Sequence, residues 1–180
     1  MTTVDATDYD ATVFDLDGTL VRLVVDWDSV ADDVAERLRE RGVEPPESLW
    51  EMLETATETG TREAIERVIA SHEREGARRS ERLPTADRVP DGPVGVCSLN
   101  CEDACRIALR THGLDDRIDA VVGRDTVAAE KPDPEPLLET IERLEARPAA
   151  TLFVGDTERD ERTAVRAGTD FRYVSDFERA

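Results

Sequence analysis

Val13-Phe14-Asp15-Leu16-Asp17-Gly18-Thr19-Leu20 is the stretch on which the reading of the chain turns. An apolar run ends in two carboxylates one residue apart, followed by a glycine, a hydroxyl and a leucine. Residues i and i+2 of a strand point to one side, so Asp15 and Asp17 are expected to emerge together where the strand, expected over residues 9–17, comes to its end. Gly18 lets the backbone turn there without a Cβ penalty. Spacing alone does not single the pair out, because Asp8/Asp10 and Asp26/Asp28 share it. What distinguishes it is the continuous apolar run before it, typical of a strand buried on both faces, and Gly-Thr after it.

Working outward, residues 24–82 read as helical. Asp26 or Asp28 caps a first helix that carries Val30, Ala31, Val34, Ala35 and Leu38 on one face and stops at Gly42. Pro46 suits the first turn of a second, with Leu49, Trp50, Leu53 and Ala56 at helical spacing up to Gly60. Ile65, Val68, Ile69 and His72 carry a third to about Gly76. No strand pattern appears here, so the stretch is expected to be an all-helical insertion. Residues 83–92 are rich in proline and loop-formers and mark the return crossing.

Beyond it, strands and helices alternate. Residues 94–97 form a strand ending at Ser98, and Asn100 is expected to cap a helix with Cys101, Ala104, Cys105, Ala108 and Leu109 on its apolar face, closed by Gly113. A strand over 118–122 leads to the rigid Lys131-Pro132-Asp133-Pro134, with Asp133 as N-cap and Pro134 as first residue of a helix to about Glu145. A strand over 151–154 runs into Gly155-Asp156. A helix over 158–167 stops at Gly168, and a last strand spans 171–174. This alternation predicts a doubly wound parallel α/β sheet, with a core of residues 1–22 and 84–180 and a small helical cap, 23–83, inserted after the first strand. Ligands of such sheets sit beyond the carboxyl ends of the strands, where strand order reverses. Asp15, Asp17, Ser98 and Asp156 all fall at such ends.

Composition narrows the partners. The 180 residues suit one domain, or one carrying a small insertion. With 42 acidic against 23 basic residues the formal charge is −19, which repels nucleic acid and anionic membrane surfaces. The acidity reads as a solvated surface suited to high salt, in the manner of proteins from salt-loving archaea; the alternative is a surface for a basic partner. Lys131 is the only lysine. No run approaches the ~18 apolar residues of a membrane span, and the polar, acidic first eight residues are no secretory signal but a disordered lead-in. Cytoplasmic location is therefore expected, with Cys97, Cys101 and Cys105 reduced and packed as small hydrophobes rather than holding a metal. His72 and His112 are expected at the surface or at helix ends.

Four motifs in this order resemble those of the haloacid dehalogenase-like hydrolases: Asp15-x-Asp17-Gly-Thr, Ser98 after a short strand, Lys131 in Lys-Pro-Asp-Pro, and Gly155-Asp156-Thr-Glu-Arg-Asp160. The nearest members in layout are phosphoglycolate phosphatase-like. The resemblance implies a Mg²⁺-dependent phosphatase for a small phosphorylated metabolite, as monomer or homodimer. Asp15 is the implied nucleophile, forming an aspartyl-phosphate, and Asp17 the implied general acid and base. Asp15, the Asp17 backbone carbonyl and Asp156 would hold Mg²⁺, which favours all-oxygen ligands. Ser98 and Lys131 would bind the transferring phosphoryl group, Asp160 would hold Lys131 or a metal-bound water, and Thr19 would support the first turn. The four carboxylates exceed Lys131 plus a divalent ion by one charge, and a protonated Asp17 removes the excess.

The chain departs from the pattern in places. Val21-Arg22 stands where relatives often carry an acidic and a small residue, which turns Arg22 into a candidate substrate contact. Leu99 separates Ser98 from Asn100, leaving the second motif ambiguous by one residue. Arg62, after Gly60-Thr61, either faces a substrate carboxylate or is a solvated arginine in a plain turn. Asp17 argues against a dehalogenase. A phosphomutase sharing all four motifs, and a non-catalytic binding or regulatory protein on the same scaffold, are the remaining alternatives.

Overall fold

The structure, a computed structural model, describes residues 9–179; the expectation for the first eight residues and the side chain of Trp50 lie outside the described part. In chain order, β1 (Ala11–Phe14) and β2 (Val21–Arg22) precede three helices, α1 (Trp27–Glu40), α2 (Leu49–Glu58) and α3 (Arg62–Arg78). The chain then runs through β3 (Glu81–Arg82), β4 (Val94–Cys97), α4 (Glu102–Thr111), β5 (Ala120–Val122), α5 (Glu135–Arg143), β6 (Thr151–Gly155), α6 (Glu158–Ala167), β7 (Asp170–Tyr173) and α7 (Val174–Phe177).

Five strands pair in parallel in the order β5-β4-β1-β6-β7. The chain crosses to one side of β1 for β4 and β5 and to the other for β6 and β7, so the reversal of strand order lies at β1. All four residues of β1 are buried. Successive side chains of a strand point to opposite faces, and the core divides accordingly. Phe14 packs with Ala104, Cys105, Ala108 and Leu109 of α4. Ala11 and Val13 pack with Leu137 and Ile141 of α5 and Ala164 and Ala167 of α6. This is the doubly wound α/β fold expected, with both faces of the sheet covered. Each fully buried Leu, Ile or Phe in these layers contributes about 1.5–3 kcal/mol.

The three helices expected after the first strand have their own core, in which Val30, Val34 and Leu38 of α1 meet Met52 and Ala56 of α2 and Ile65 and Ile69 of α3. Asp26, rather than Asp28, caps α1, accepting from the amides of Asp28 and Ser29. α2 begins after Ser48, which forms a reciprocal cap with Glu51, so Pro46 precedes the helix instead of opening it. The expectation of no strand between residues 24 and 82 fails at β3, which pairs antiparallel with β2. Two residues are too few to carry a period, and the pairing joins the chain entering the helical segment to the chain leaving it.

Two expected caps are displaced. α4 starts after Cys101, and Asn100 is used elsewhere. α5 starts after Pro134, with Asp133 Oδ1 accepting from the Glu135 amide at 2.9 Å. It ends two residues early, and Glu145 takes a left-handed φ of +54°. The last strand ends at Tyr173, and Phe177 of the following turn of helix stacks edge-on against Phe14 at 5.5 Å. Among the described residues no helix is long and apolar enough to cross a membrane.

Candidate active site

At the carboxyl end of β1 the backbone does not continue straight through Asp17. The Asp15 amide still donates to the Val154 carbonyl at 2.8 Å, but the Leu16 carbonyl then accepts from the amides of Thr19, Leu20 and Val21 at 3.2, 2.9 and 3.1 Å. Leu16 is wholly buried, and the chain wraps around its carbonyl. The strand, expected to run through Asp17, thus ends at Phe14, and the pair lies in the turn that follows it. The Asp15 carboxylate stays inside, while Asp17 Oδ1 accepts from the Leu23 amide at 2.8 Å, where the chain sets out toward α1. Gly18 makes the turn possible: its φ is +86°, and a Cβ there would overlap the Asp156 carboxylate.

Lys131 lies at the centre of the site. Its ammonium donates to Asp15 Oδ1 at 2.8 Å, Asp160 Oδ1 at 2.6 Å and the Cys97 carbonyl at 3.1 Å, which uses all three of its protons. Burial alone would lower its pKa; the charges of Asp15 and Asp160 outweigh that and raise it, so the lysine is a permanent cation. Asp15 Oδ2 lies 3.4 Å from the Thr19 hydroxyl. Burial is the main reason the Asp15 pKa rises to about 7; Lys131 opposes the rise, and Asp160 and Asp156 add to it.

Asp160 is fixed from its other side by a reciprocal cap at the start of α6: Thr157 Oγ1 donates to Asp160 Oδ2 at 2.6 Å, and the Thr157 amide does so at 3.2 Å. Gly155 leaves room for this, since a Cβ there would sit 2.6 Å from that of Asp160. Asp156 opens to solvent, and partial burial together with the Asp160 charge raises its pKa. Carboxylate oxygens of Asp15, Asp156 and Asp160 lie within 4.8 Å of one another. With all three ionised, Lys131 leaves this group with two excess negative charges, which suits a divalent cation. Both oxygens of Asp160 are held by short bonds, whereas Asp15 Oδ2 has only the Thr19 hydroxyl at 3.4 Å, so Asp15 and Asp156 are the carboxylates more open to one.

Ser98, 2% exposed, is adjacent to the Cys97 carbonyl that Lys131 holds. Its hydroxyl donates to Asn100 Oδ1 and accepts from the Asn100 amide, both at 3.1 Å. The amides of Leu16 and Leu99 have no acceptor among the described residues, so each of the two strand-end loops presents a free N–H. Asp17 has its pKa raised, first by burial, with the Leu23 amide and Arg22 opposing and Glu73 adding to the effect.

Asp15, Lys131, Asp156 and Asp160 thus come together with Thr19 beside them. The two arginines of the sequence reading do not join them. Arg22 is exposed on β2, 4.0 Å from Glu81. Arg62, first residue of α3, is held by Glu66 at 2.8 Å, Glu130 at 3.1 Å and the Thr57 hydroxyl at 3.2 Å. Sequence reading missed Thr157, although Thr157-x-x-Asp160 has the spacing of a helix-start cap. It also missed Glu73, which continues the buried Ile65–Ile69 stripe by four residues. His72, next along the α1-facing side of α3, pairs with Asp33 of α1 at 2.7 Å near the surface, as expected for it. The three cysteines are free and buried.

An α/β sheet with an acidic, lysine-centred site at its switch point is the class that fold and site define. The haloacid dehalogenase-like hydrolase family matches residues 91–174. The phosphoglycolate phosphatase of Aquifex aeolicus is 30% identical over 174 residues, spanning 87% of this chain and 80% of that protein. That of Cereibacter sphaeroides is 31% identical over 183 residues, spanning 88% and 82%. The crystal structure of CbbY from Rhodobacter sphaeroides in complex with phosphate shares the fold, with a TM-score of 0.67 over 92% of this chain and 85% of that one at 18% identity. The chain belongs to the haloacid dehalogenase-like hydrolases, and within them it is a phosphoric monoester hydrolase.

Proposed function

We propose that this phosphatase depends on Mg²⁺, acts through an aspartyl-phosphate on Asp15, and takes a small phosphorylated metabolite of the phosphoglycolate class, with residues 23–83 as its cap over a core of 1–22 and 84–180. The observation that carries the reading is the Asp15 carboxylate, buried at the switch point with Lys131 on Oδ1 and a carboxylate oxygen of Asp156 within 4.8 Å of one of its own.

A carboxylate oxygen of Asp15 attacks phosphorus, the bond from phosphorus to the leaving oxygen breaks, and the Asp17 carboxyl proton passes to that oxygen. Burial of Asp17 favours its protonated form beforehand. Asp17 gives only Oδ1 to the Leu23 amide, which leaves Oδ2 to carry the proton. Its carboxylate then takes a proton from water, whose oxygen attacks the aspartyl-phosphate phosphorus, and Asp15 and inorganic phosphate are released. Lys131 and the Leu16 and Leu99 amides offset charge on the phosphoryl oxygens, with Ser98 donating once its proton leaves Asn100. Thr19 steadies Asp15, and Asp160 keeps Lys131 in place. Bound by Asp15, the Asp17 carbonyl and Asp156, Mg²⁺ would supply further charge neutralisation. Arg22 and Arg62 are candidate substrate contacts at the edge of the site, and Arg62 reaches a substrate carboxylate only by leaving Glu130.

A panel of phosphorylated metabolites, assayed with and without Mg²⁺, tests this. Expected are phosphate release that chelation removes and that Asp15→Asn abolishes, with 2-phosphoglycolate among the best substrates. Full activity of Asp15→Asn, or release unaffected by chelation, overturns the mechanism.

A further inference from the structure

The seam between α3 and the core holds a second buried charge cluster. Glu73, in the middle of α3, is 1% exposed. Its carboxylate accepts from Arg124 Nη1 at 2.6 Å and Nη2 at 3.1 Å, from the Cys101 amide at 3.0 Å and from Asn100 Nδ2 at 3.4 Å. Arg124, in the loop after β5, also donates to the Leu99 carbonyl at 2.6 Å and to Glu66 of α3 at 3.0 Å. Its pKa is raised, since Glu73 and Glu66 outweigh the effect of burial. No polar atom of the cluster is left buried without a partner.

Three successive residues of the loop that follows β4 are gripped in this way: Leu99 by its carbonyl, Asn100 by its side chain and Cys101 by its amide. Asn100 is the residue that clasps the Ser98 hydroxyl through two bonds. The grip on Cys101 takes up the first free amide at the start of α4, and the next, that of Glu102, donates to Asp125 Oδ1 at 2.7 Å. A continuous series of hydrogen bonds therefore runs from α3, through Glu73 and Asn100, to Ser98.

We infer that Glu73 is a positioning residue for phosphate binding: with Arg124 as counter-ion it locks the Ser98–Cys101 loop into its binding geometry, so that docking of α3 and assembly of the phosphoryl site are one event. The inference rests on the reading of Ser98 and Leu99 as phosphoryl contacts. Arg124 is necessary because Glu73 would otherwise be a lone buried carboxylate, which burial strongly disfavours. Its bidentate fork fixes the carboxylate plane and hence the direction of the oxygens that hold Asn100 and Cys101. The separate Arg62–Glu130 contact, beside Lys131, is half exposed and adds a weaker hold of the same helix on the neighbouring loop.

The test uses inorganic phosphate with Mg²⁺, followed by calorimetry, and amide hydrogen exchange of the whole protein. Phosphate is expected to protect the Leu99–Cys101 amides and α3 together. Glu73→Gln is expected to weaken phosphate about tenfold and to speed exchange at the loop. The double variant Glu73→Gln/Arg124→Met, which leaves no unpaired charge and guards against misfolding of the single one, is expected to weaken it no further than the single. A merely structural Glu73 would lower Tm without moving the phosphate Kd. Wild-type affinity retained in folded Glu73→Gln or in the double variant overturns the inference, as does protection of the loop without α3. Wild-type protein that binds no phosphate overturns the catalytic reading and this inference with it, whereas binding that is equal in wild type and variant overturns the inference alone.

Discussion

Lys131, buried, and Arg124, mostly buried, are both cations set between two carboxylates, yet their surroundings differ. Arg124 and Glu73 meet through two parallel bonds, and Glu73 has two neutral donors besides. Around Lys131 a third carboxylate, Asp156, stands close and open to solvent, and Asp15 has its pKa pushed up to about 7. At the seam the buried Glu73 is neutralised by Arg124, and Glu66 shares Arg124 with Arg62 at the more exposed edge, so the buried pair itself is closed; the group at the switch point keeps two excess negative charges. A closed cluster fixes geometry, whereas an open one attracts a cation and a phosphoryl group. The lesson is that burial of charge marks function only together with the state of its partners.

The contrast can be broken in several ways, the largest first. Asp15→Asn removes the nucleophile and is expected to lower kcat by ~10³-fold or more while the protein stays folded, as followed by phosphate release and Tm. Glu73→Gln should act mainly on stability and phosphate affinity: breaking one side of a buried ion pair costs about 3–5 kcal/mol, read by denaturant unfolding. A loss of kcat as deep as that of Asp15→Asn, with phosphate affinity unchanged, would erase the distinction between the clusters.

Acidity offers a third test. The folded Asp15 value of about 7 lies above its ordinary 3.8, so metal-free folded protein retains a proton that the unfolded chain has lost. The Asp15 contribution to stability is therefore whole below pH ~4 and is lost as pH rises through about 7. In the absence of metal, the Tm of Asp15→Asn minus that of wild type is expected to grow across this window, and a constant difference refutes the account. The thiols sharpen the point from the apolar side. Burial raises Cys97 and Cys101 to about 12 and Cys105 well above 9.0. A thiol reagent at pH 8 should find none of them in the native protein and all three after unfolding. The smallest effect belongs to Arg62→Ala. Its partners are half-exposed carboxylates, so stability should change by less than about 1 kcal/mol. KM is expected to stay within about twofold; a larger rise would show Arg62 leaving Glu130 for the substrate.

Legibility followed the physics of each element. The strand ends at Asp15, Ser98 and Asp156 were readable because short apolar runs between turn-formers leave little choice of conformation, and the helices because their apolar faces repeat. The first strand was read three residues too long at its end, because the wrapping of three amides around the Leu16 carbonyl has no signature at a spacing of two. Asn100 was misassigned as a cap because its side chain is engaged by Ser98 and by Glu73, and Glu73 lies on a different helix. β2 and β3 have no period to detect at two residues each. Glu73 itself lay on the Ile65–Ile69 stripe, a signal hidden by the abundance of acidic residues.

By itself, then, the sequence determined the order of the five sheet strands and of the larger helices, the sheet class and the strand-end positions of Asp15, Ser98 and Asp156, since local periodicity and strand-end position are properties of short segments. Lys131 and Asp160 entered through the resemblance to the hydrolase motifs. Only the tertiary structure decided which carboxylates share Lys131, that Asp17 faces the Leu23 amide, and that α3 grips the Ser98 loop through Glu73 and Arg124. Those contacts join residues from 6 to 116 positions apart. A charge or a hydrogen bond carries no record in the sequence of the partner that folding will bring to it.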